Sequence, residues 1–66
     1  MRITINGQSR ELSSAMSLHE LVLSLNLMPA RVIIELNDKV VSRDSWPQTS
    51  LSEGDRLEMV SLVGGG

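Results

Sequence analysis

The sequence predicts an α+β domain in which one helix packs across a mixed sheet of four or five strands. Three observations predict it: an alternating apolar segment running into Asn6-Gly7, a capped amphipathic segment starting at Ser17, and β-rich segments at residues 32–36 and 56–63. The chain has 66 residues, 41% of them apolar, a formal charge of −2, one Trp and no Cys, Tyr or Phe. A chain this short has room for a single core, which below roughly 70–80 residues rarely supplies more than about 3–5 kcal/mol. An enzyme with its own buried cleft does not fit that size. Mild acidity is also the wrong charge for a nucleic-acid surface, which clusters Lys and Arg on one face.

Residues 2–6 alternate, with Ile3 and Ile5 on one face and Arg2, Thr4 and Asn6 on the other, the period-two pattern of a half-buried strand. Asn6-Gly7 tolerates the positive φ angles of a two-residue turn, so residues 8–12 should return antiparallel. Gln8, Ser9, Arg10 and Glu11 make that return a polar edge, which discourages edge-to-edge pairing. After a loop at Ser13-Ser14-Ala15-Met16, Ser17 and Glu20 have the spacing of a capping box. Leu18, Leu21, Val22 and Leu25 then share one helical stripe, while Glu20, Ser24 and Asn26 face away. Pro29 stops the helix after about ten residues and biases Met28 toward extended backbone. So short a helix needs a sheet to pack on.

Val32-Ile33-Ile34-Glu35-Leu36 is β-branched and almost continuously apolar, which predicts a strand with much of both faces covered. Asn37-Asp38 turns the chain into a short strand at Lys39-Val40-Val41. Residues 42–52 read as polar and irregular, with Trp46-Pro47 and Leu51 as core anchors and Trp46 as a lid over one end of the core. Glu53-Gly54-Asp55 makes another turn, and residues 56–63 form the longest strand candidate, Leu57 and Met59 alternating with Arg56 and Glu58. If this last strand runs parallel to the first in the sheet centre, every strong apolar segment faces the helix. That arrangement is the β-grasp, or ubiquitin-like, fold. One domain is expected over residues 1–66, with residues 64–66 as a flexible tail.

Cysteine-based chemistry is excluded: no disulfide, thiolate nucleophile, iron–sulfur ligand or Cys-based zinc site can form. His19 is the only histidine and reads as a solvated residue in the first helical turn. Asp44, Glu53 and Asp55 read as ordinary turn carboxylates. No bound metal or cofactor is expected. Apolar runs stop at three residues, whereas a membrane span needs roughly 20. With no charged-then-apolar leader either, the expectation is a cytoplasmic protein without membrane or nucleic-acid partners.

Gly64-Gly65-Gly66 alone reads as a disordered end or a leftover linker. Its position directly after the last strand supports a second reading. Three extended residues reach about 10 Å, enough to carry a terminal carboxylate through a narrow channel into another protein. Glycine has no Cβ to clash there. Such a carboxylate, with a pKa of roughly 3.3–3.7, is an anion and a poor electrophile at neutral pH. An ATP-using enzyme can convert it to an acyl-adenylate, whose carbonyl a sulfur nucleophile attacks.

These residues resemble the ThiS family, the small sulfur carriers of thiamine biosynthesis. The similarity spans essentially the whole chain. It rests on Ile3-Thr4-Ile5-Asn6-Gly7, Leu18-His19-Glu20-Leu21, Glu35-Leu36-Asn37, Arg43-Asp44-Ser45-Trp46, the run from Glu53 through Gly54-Asp55-Arg56-Leu57-Glu58-Met59 to Val60, and Val63-Gly64-Gly65-Gly66. The chain departs from the family at Ser42, commonly proline, and at Leu62, often aromatic. The resemblance implies that an E1-like, ThiF-type enzyme uses ATP to adenylate the Gly66 carboxylate. Sulfur originating from cysteine through a desulfurase then converts it to a thiocarboxylate, and a ThiG-type thiazole synthase takes the sulfur to build the thiazole phosphate of thiamine. It also implies that Gly65 and Gly66 are the functional tail, with Gly66 bearing the sulfur and Gly64 extending the thread. The simplest expectation for the free chain is a monomer that binds no cofactor.

Val60 and Leu62 alternate away from Leu57 and Met59. With Val63 beside the tail, they are the expected partner interface, against the alternative of a central strand covered on both faces. Two other readings stay open: the small subunit of molybdopterin synthase, also a β-grasp protein ending in Gly-Gly, and a ubiquitin-like binding module whose tail does nothing. The short chain, the segment from Arg43 to Trp46 and the Val-Gly-Gly-Gly ending favour the thiamine carrier. The missing cysteine also acquires a use, since no thiol of the chain can compete for the activated carbonyl.

Overall fold

The first hairpin forms where the alternation and Asn6-Gly7 place it. In a computed structural model, which describes residues 1–62, β1 (Arg2–Ile5) pairs antiparallel with β2 (Gln8–Glu11). Asn6 and Gly7 adopt φ of 50° and 82°, angles that Gly takes freely and Asn at little cost. β1 buries Ile3 and Ile5, whereas β2 is exposed throughout at the sheet edge. Just past β2, Leu12 enters the core, and its N–H donates to the Met1 carbonyl at 2.7 Å.

The capping box forms in full at α1 (Leu18–Ser24). Ser17 Oγ accepts from the Glu20 N–H at 3.1 Å, and Glu20 Oε1 accepts from the Ser17 N–H at 2.8 Å. The helix is nonetheless shorter than the ten residues expected, and Pro29 is not what stops it. Asn26 at φ 61° ends it instead. Its N–H donates to the Leu23 carbonyl and the Leu27 N–H to the Val22 carbonyl, the two bonds of a Schellman cap. Leu18, Leu21 and Val22 are buried, and Leu25 at the cap is only partly so.

A short 3₁₀ turn at Pro29–Arg31 leads into β3 (Val32–Leu36), and a turn at Asn37-Asp38 leads into β4 (Lys39–Val41). β5 (Arg56–Ser61) completes a sheet of order β2-β1-β5-β3-β4, running parallel to β1 and antiparallel to β3. The last strand thus lies beside the first in the centre of the sheet, as the β-grasp requires. Buried Ile3, Ile5, Val32, Ile34 and Leu57 pack with the helix residues, Trp46 and Leu51 into one core.

Two expectations need correction. β3 is not covered on both faces: Val32 and Ile34 are buried, but Ile33 is 47% exposed and Glu35 is exposed. Among the described residues the one α-helix lies on one face of the sheet, and no second layer covers the other. Residues 42–52 are also not wholly irregular, since Arg43–Gln48 forms a 3₁₀ helix. Trp46 within it is 1% exposed, and its Nε1–H donates to the Val41 carbonyl at 3.1 Å. Pro47 beside it is exposed and anchors nothing. Burial of the indole fixes this segment, with the Thr49 Oγ1–H donating to the Ser45 carbonyl at 2.7 Å. The expected final residue of the last strand, Val63, and the tail Gly64, Gly65 and Gly66 lie outside the described residues.

Candidate functional site

β5 carries the chain from the core toward its last residues, and its beginning is held from both sides. The Asn6 N–H donates to the Leu57 carbonyl at 2.8 Å, and the Asn37 N–H to the Arg56 carbonyl at 2.8 Å. The Asn37 side chain adds two bonds, its Oδ1 accepting from the Arg56 N–H at 2.9 Å and its Nδ2 donating to Asp55 Oδ1 at 3.0 Å. Arg56 forks onto Asp38 at 3.3 and 2.9 Å. That hydrogen-bonded guanidinium holds the Asp38 carboxyl below its ordinary range, and Asp38 in turn raises Arg56.

At the middle of β5, β1 ends and a side chain takes over its role. Asn6 Nδ2 donates to the Met59 carbonyl at 3.1 Å, and Asn6 Oδ1 accepts from the Met59 N–H at 2.8 Å. The amide copies one rung of a strand. Sequence reasoning assigned Asn6 and Asn37 to turns and missed these bonds. The available signal was the asparagine itself, which at positive φ can offer both a donor and an acceptor to a neighbouring backbone.

Beyond Met59, among the described residues, only β3 and the turn before it flank the strand. The Leu62 N–H donates to the Arg31 carbonyl at 2.6 Å, and Val60 stands opposite Ile33. Val60 is 57% and Leu62 53% exposed, so with Ile33 they form an apolar strip on the open face of the sheet. This strip is the last described structure before residues 63–66.

The other candidate residues are scattered. His19 is half-buried and lines a shallow open cleft with Met16, Glu20 and Pro47. Glu53 Oε1 accepts from the Arg2 N–H at 2.9 Å, Asp55 Oδ2 accepts from the Ser52 N–H at 2.7 Å, and Asp44 is exposed. Asp55 thus closes its own turn, and Glu53 ties that turn to β1. Among the described residues no three His, Cys, Asp or Glu side chains group to hold a metal ion, and no helix is long and apolar enough to cross a membrane.

The sequence matches the ThiS family over residues 3–66. The chain belongs to that family. ThiS proteins are small sulfur carriers and not catalysts, and their β-grasp is the fold seen here. The crystal structure of the thiamine biosynthesis protein ThiS from Geobacter metallireducens superposes with a TM-score of 0.85 at 29% identity, covering 100% of both chains. The sulfur carrier protein ThiS of Escherichia coli is 27% identical over 66 residues, again 100% of both. A thiazole synthase of Paramagnetospirillum magneticum is 35% identical over 66 residues, which make up 100% of this chain and 20% of that protein. Another, from Magnetococcus marinus, matches to the same extent, so the chain spans about one fifth of the length of these two thiazole synthases.

Proposed function

We propose that this chain carries sulfur for thiazole formation as a thiocarboxylate on Gly66. One observation carries the reading: the match to a family of sulfur carriers runs through Gly64-Gly65-Gly66, which follow β5 after only Leu62 and Val63. The Gly66 carboxylate attacks the α-phosphorus of ATP held by a ThiF-type adenylating enzyme and expels pyrophosphate. The terminal sulfur of a desulfurase persulfide, drawn from cysteine, then attacks the acyl-adenylate carbonyl and expels AMP, and a thiol reductant cleaves the resulting acyl disulfide, leaving the thiocarboxylate and a disulfide. The resulting thiocarboxylate passes its sulfur to a thiazole synthase, a partner supported by the two thiazole synthases that contain a region similar to this chain.

The carrier itself contributes a body to be recognised and a thread without side chains. Gly64 and Gly65 allow any backbone angle inside a partner's channel. Exposed Val60 and Leu62 form the surface that partners grip, and the exposed Ile33 extends it; Val63, expected to join them, lies outside the described residues. No cofactor is held by the carrier, which acts as a free monomer moving between clients in the cytoplasm, where ATP is at hand.

Intact-mass measurement tests the proposal. Incubation with ATP, the adenylating enzyme of the same organism and a sulfur source should add the mass difference of one sulfur for one oxygen, and deletion of Gly66 should abolish the gain. No gain with the intact chain rejects the carrier reading and leaves a binding module. Transfer to thiazole synthase rather than molybdopterin synthase identifies the client.

A further inference from the structure

The two bonds that tie Asn6 to β5 also guard a reactive amide. Of the three asparagines in the chain, only Asn6 precedes a glycine. Attack by the Gly7 backbone nitrogen on the Asn6 side-chain carbonyl closes a five-membered imide. An N–Cγ bond forms, the Cγ–Nδ2 bond breaks, and ammonia leaves with the proton of the attacking nitrogen. Water then opens the imide at either carbonyl, giving aspartate or isoaspartate. In sum one amide and one water become a carboxylate and an ammonium ion, with no oxidant or reductant. Glycine favours the closure because it brings no Cβ to crowd the nitrogen, whereas Leu27 after Asn26 and Asp38 after Asn37 each bring one.

The turn itself gives no steric protection. Asn6 and Gly7 are exposed, and a Cβ built on Gly7 would meet nothing within 4 Å. Protection comes from across the sheet. Asn6 Nδ2 donates to the Met59 carbonyl and Oδ1 accepts from the Met59 N–H, so both polar atoms of the amide are held by a residue 53 positions away. β1 itself pairs with β5 only at Arg56 and Leu57. To bring Cγ onto the Gly7 nitrogen, the side chain swings away from Met59 and gives up both bonds. Ring closure therefore waits for β5 to part from Asn6, a local opening whose population sets the rate.

Neither product restores the clamp. Aspartate places an acceptor-only carboxylate oxygen where Nδ2 donated, against the Met59 carbonyl. Isoaspartate routes the backbone through the former side chain and adds a carbon to the turn. Past Met59 the strand then keeps only its pairing with β3 and the Leu62 bond to the Arg31 carbonyl, among the described residues.

We propose that Asn6 is a deamidation site gated by β5: the docked strand protects the amide, and an opening that lets it react permanently loosens the strand end. The modification thus accumulates in chains whose last strand has opened, and a partner that holds β5 in place slows it.

Incubation of the full chain in mildly alkaline buffer, native or unfolded in guanidinium chloride, tests the gate by peptide mass mapping. In the unfolded chain, aspartate and isoaspartate should appear at Asn6 ahead of Asn26 and Asn37. In the native chain, conversion at Asn6 should be at least about tenfold slower, the effect of a local opening that is rarely populated. Native and unfolded rates within about twofold, or faster conversion at another asparagine of the unfolded chain, overturn the proposal. Hydrogen exchange tests the loosening. Asn6→Asp copies one product, and Asn6→Gly removes the amide while accepting the φ of 50° freely. In whichever of the two folds, exchange at the Met59 and Leu62 amides should quicken about tenfold over wild type. Unchanged exchange there overturns the proposal as well.

Discussion

At its start β5 lies between β1 and β3, with Leu57 1% exposed; past Met59 only β3 remains beside it among the described residues, and Val60 and Leu62 are more than half exposed. The alternation of apolar residues runs on across this boundary. What changes is the company the strand keeps, because β1 turns away at Asn6 and the helix covers only one face. Leu57 belongs to the core and Leu62 to the surface although both are leucines on one strand and its continuation. Apolarity marks which residues favour cover; the neighbouring elements decide whether folding or a partner provides it.

Removing an anchor at the enclosed end should have the largest effect. Leu57→Ala is expected to cost about 2–5 kcal/mol, comparable to the whole stability of a domain this small. Urea titration followed by circular dichroism should find the variant largely unfolded before denaturant is added. A midpoint near that of the wild type would mean that the enclosed end does not anchor the fold.

At the open end, Leu62→Asp should leave stability within about 0.5 kcal/mol of wild type, as is usual for surface changes. Adenylation by the partner enzyme should fall about tenfold, or roughly 1.4 kcal/mol. Pyrophosphate release measures it, and either unfolding or unchanged adenylation would remove Leu62 from the interface.

The smallest effect belongs to Asp38→Asn. Arg56 lowers the folded-state pKa of Asp38, so its stabilisation is present above the ordinary carboxylate range and is lost as pH falls through the lowered value. Thermal midpoints of wild type and variant should differ slightly near neutrality and converge in acid. High salt should shrink the gap, since the pair is exposed and screened. Asn also accepts the φ of 74° at this position, so a gap that persists in acid would show that geometry, not charge, is responsible.

Short-range signals were legible in the sequence because their partners sit a few residues away. Asn6-Gly7, the Ser17 and Glu20 cap, Asn37-Asp38 and Gly54 each marked a turn or helix start that forms. The order of apolar segments then sufficed for the β-grasp. The glycine tail and the motifs around it pointed to the family, although the tail's geometry lies outside the described residues. Illegible features depend on pairing between distant segments. Nothing local distinguishes Ile33 from Ile34 until the helix chooses a face. The Asn6 amide meets Met59 only because β1 and β5 lie side by side. The helix end at Asn26 was within reach of local reasoning, but Pro29 offered the louder stop signal.

Trp46, sealed in the core and bonded to the Val41 carbonyl, has a practical consequence. With no Tyr or Phe in the chain, the domain's ultraviolet emission comes from one indole ring. Water reaching that ring shifts its fluorescence to the red, so each variant described above can be scored for folding without a label or a partner enzyme.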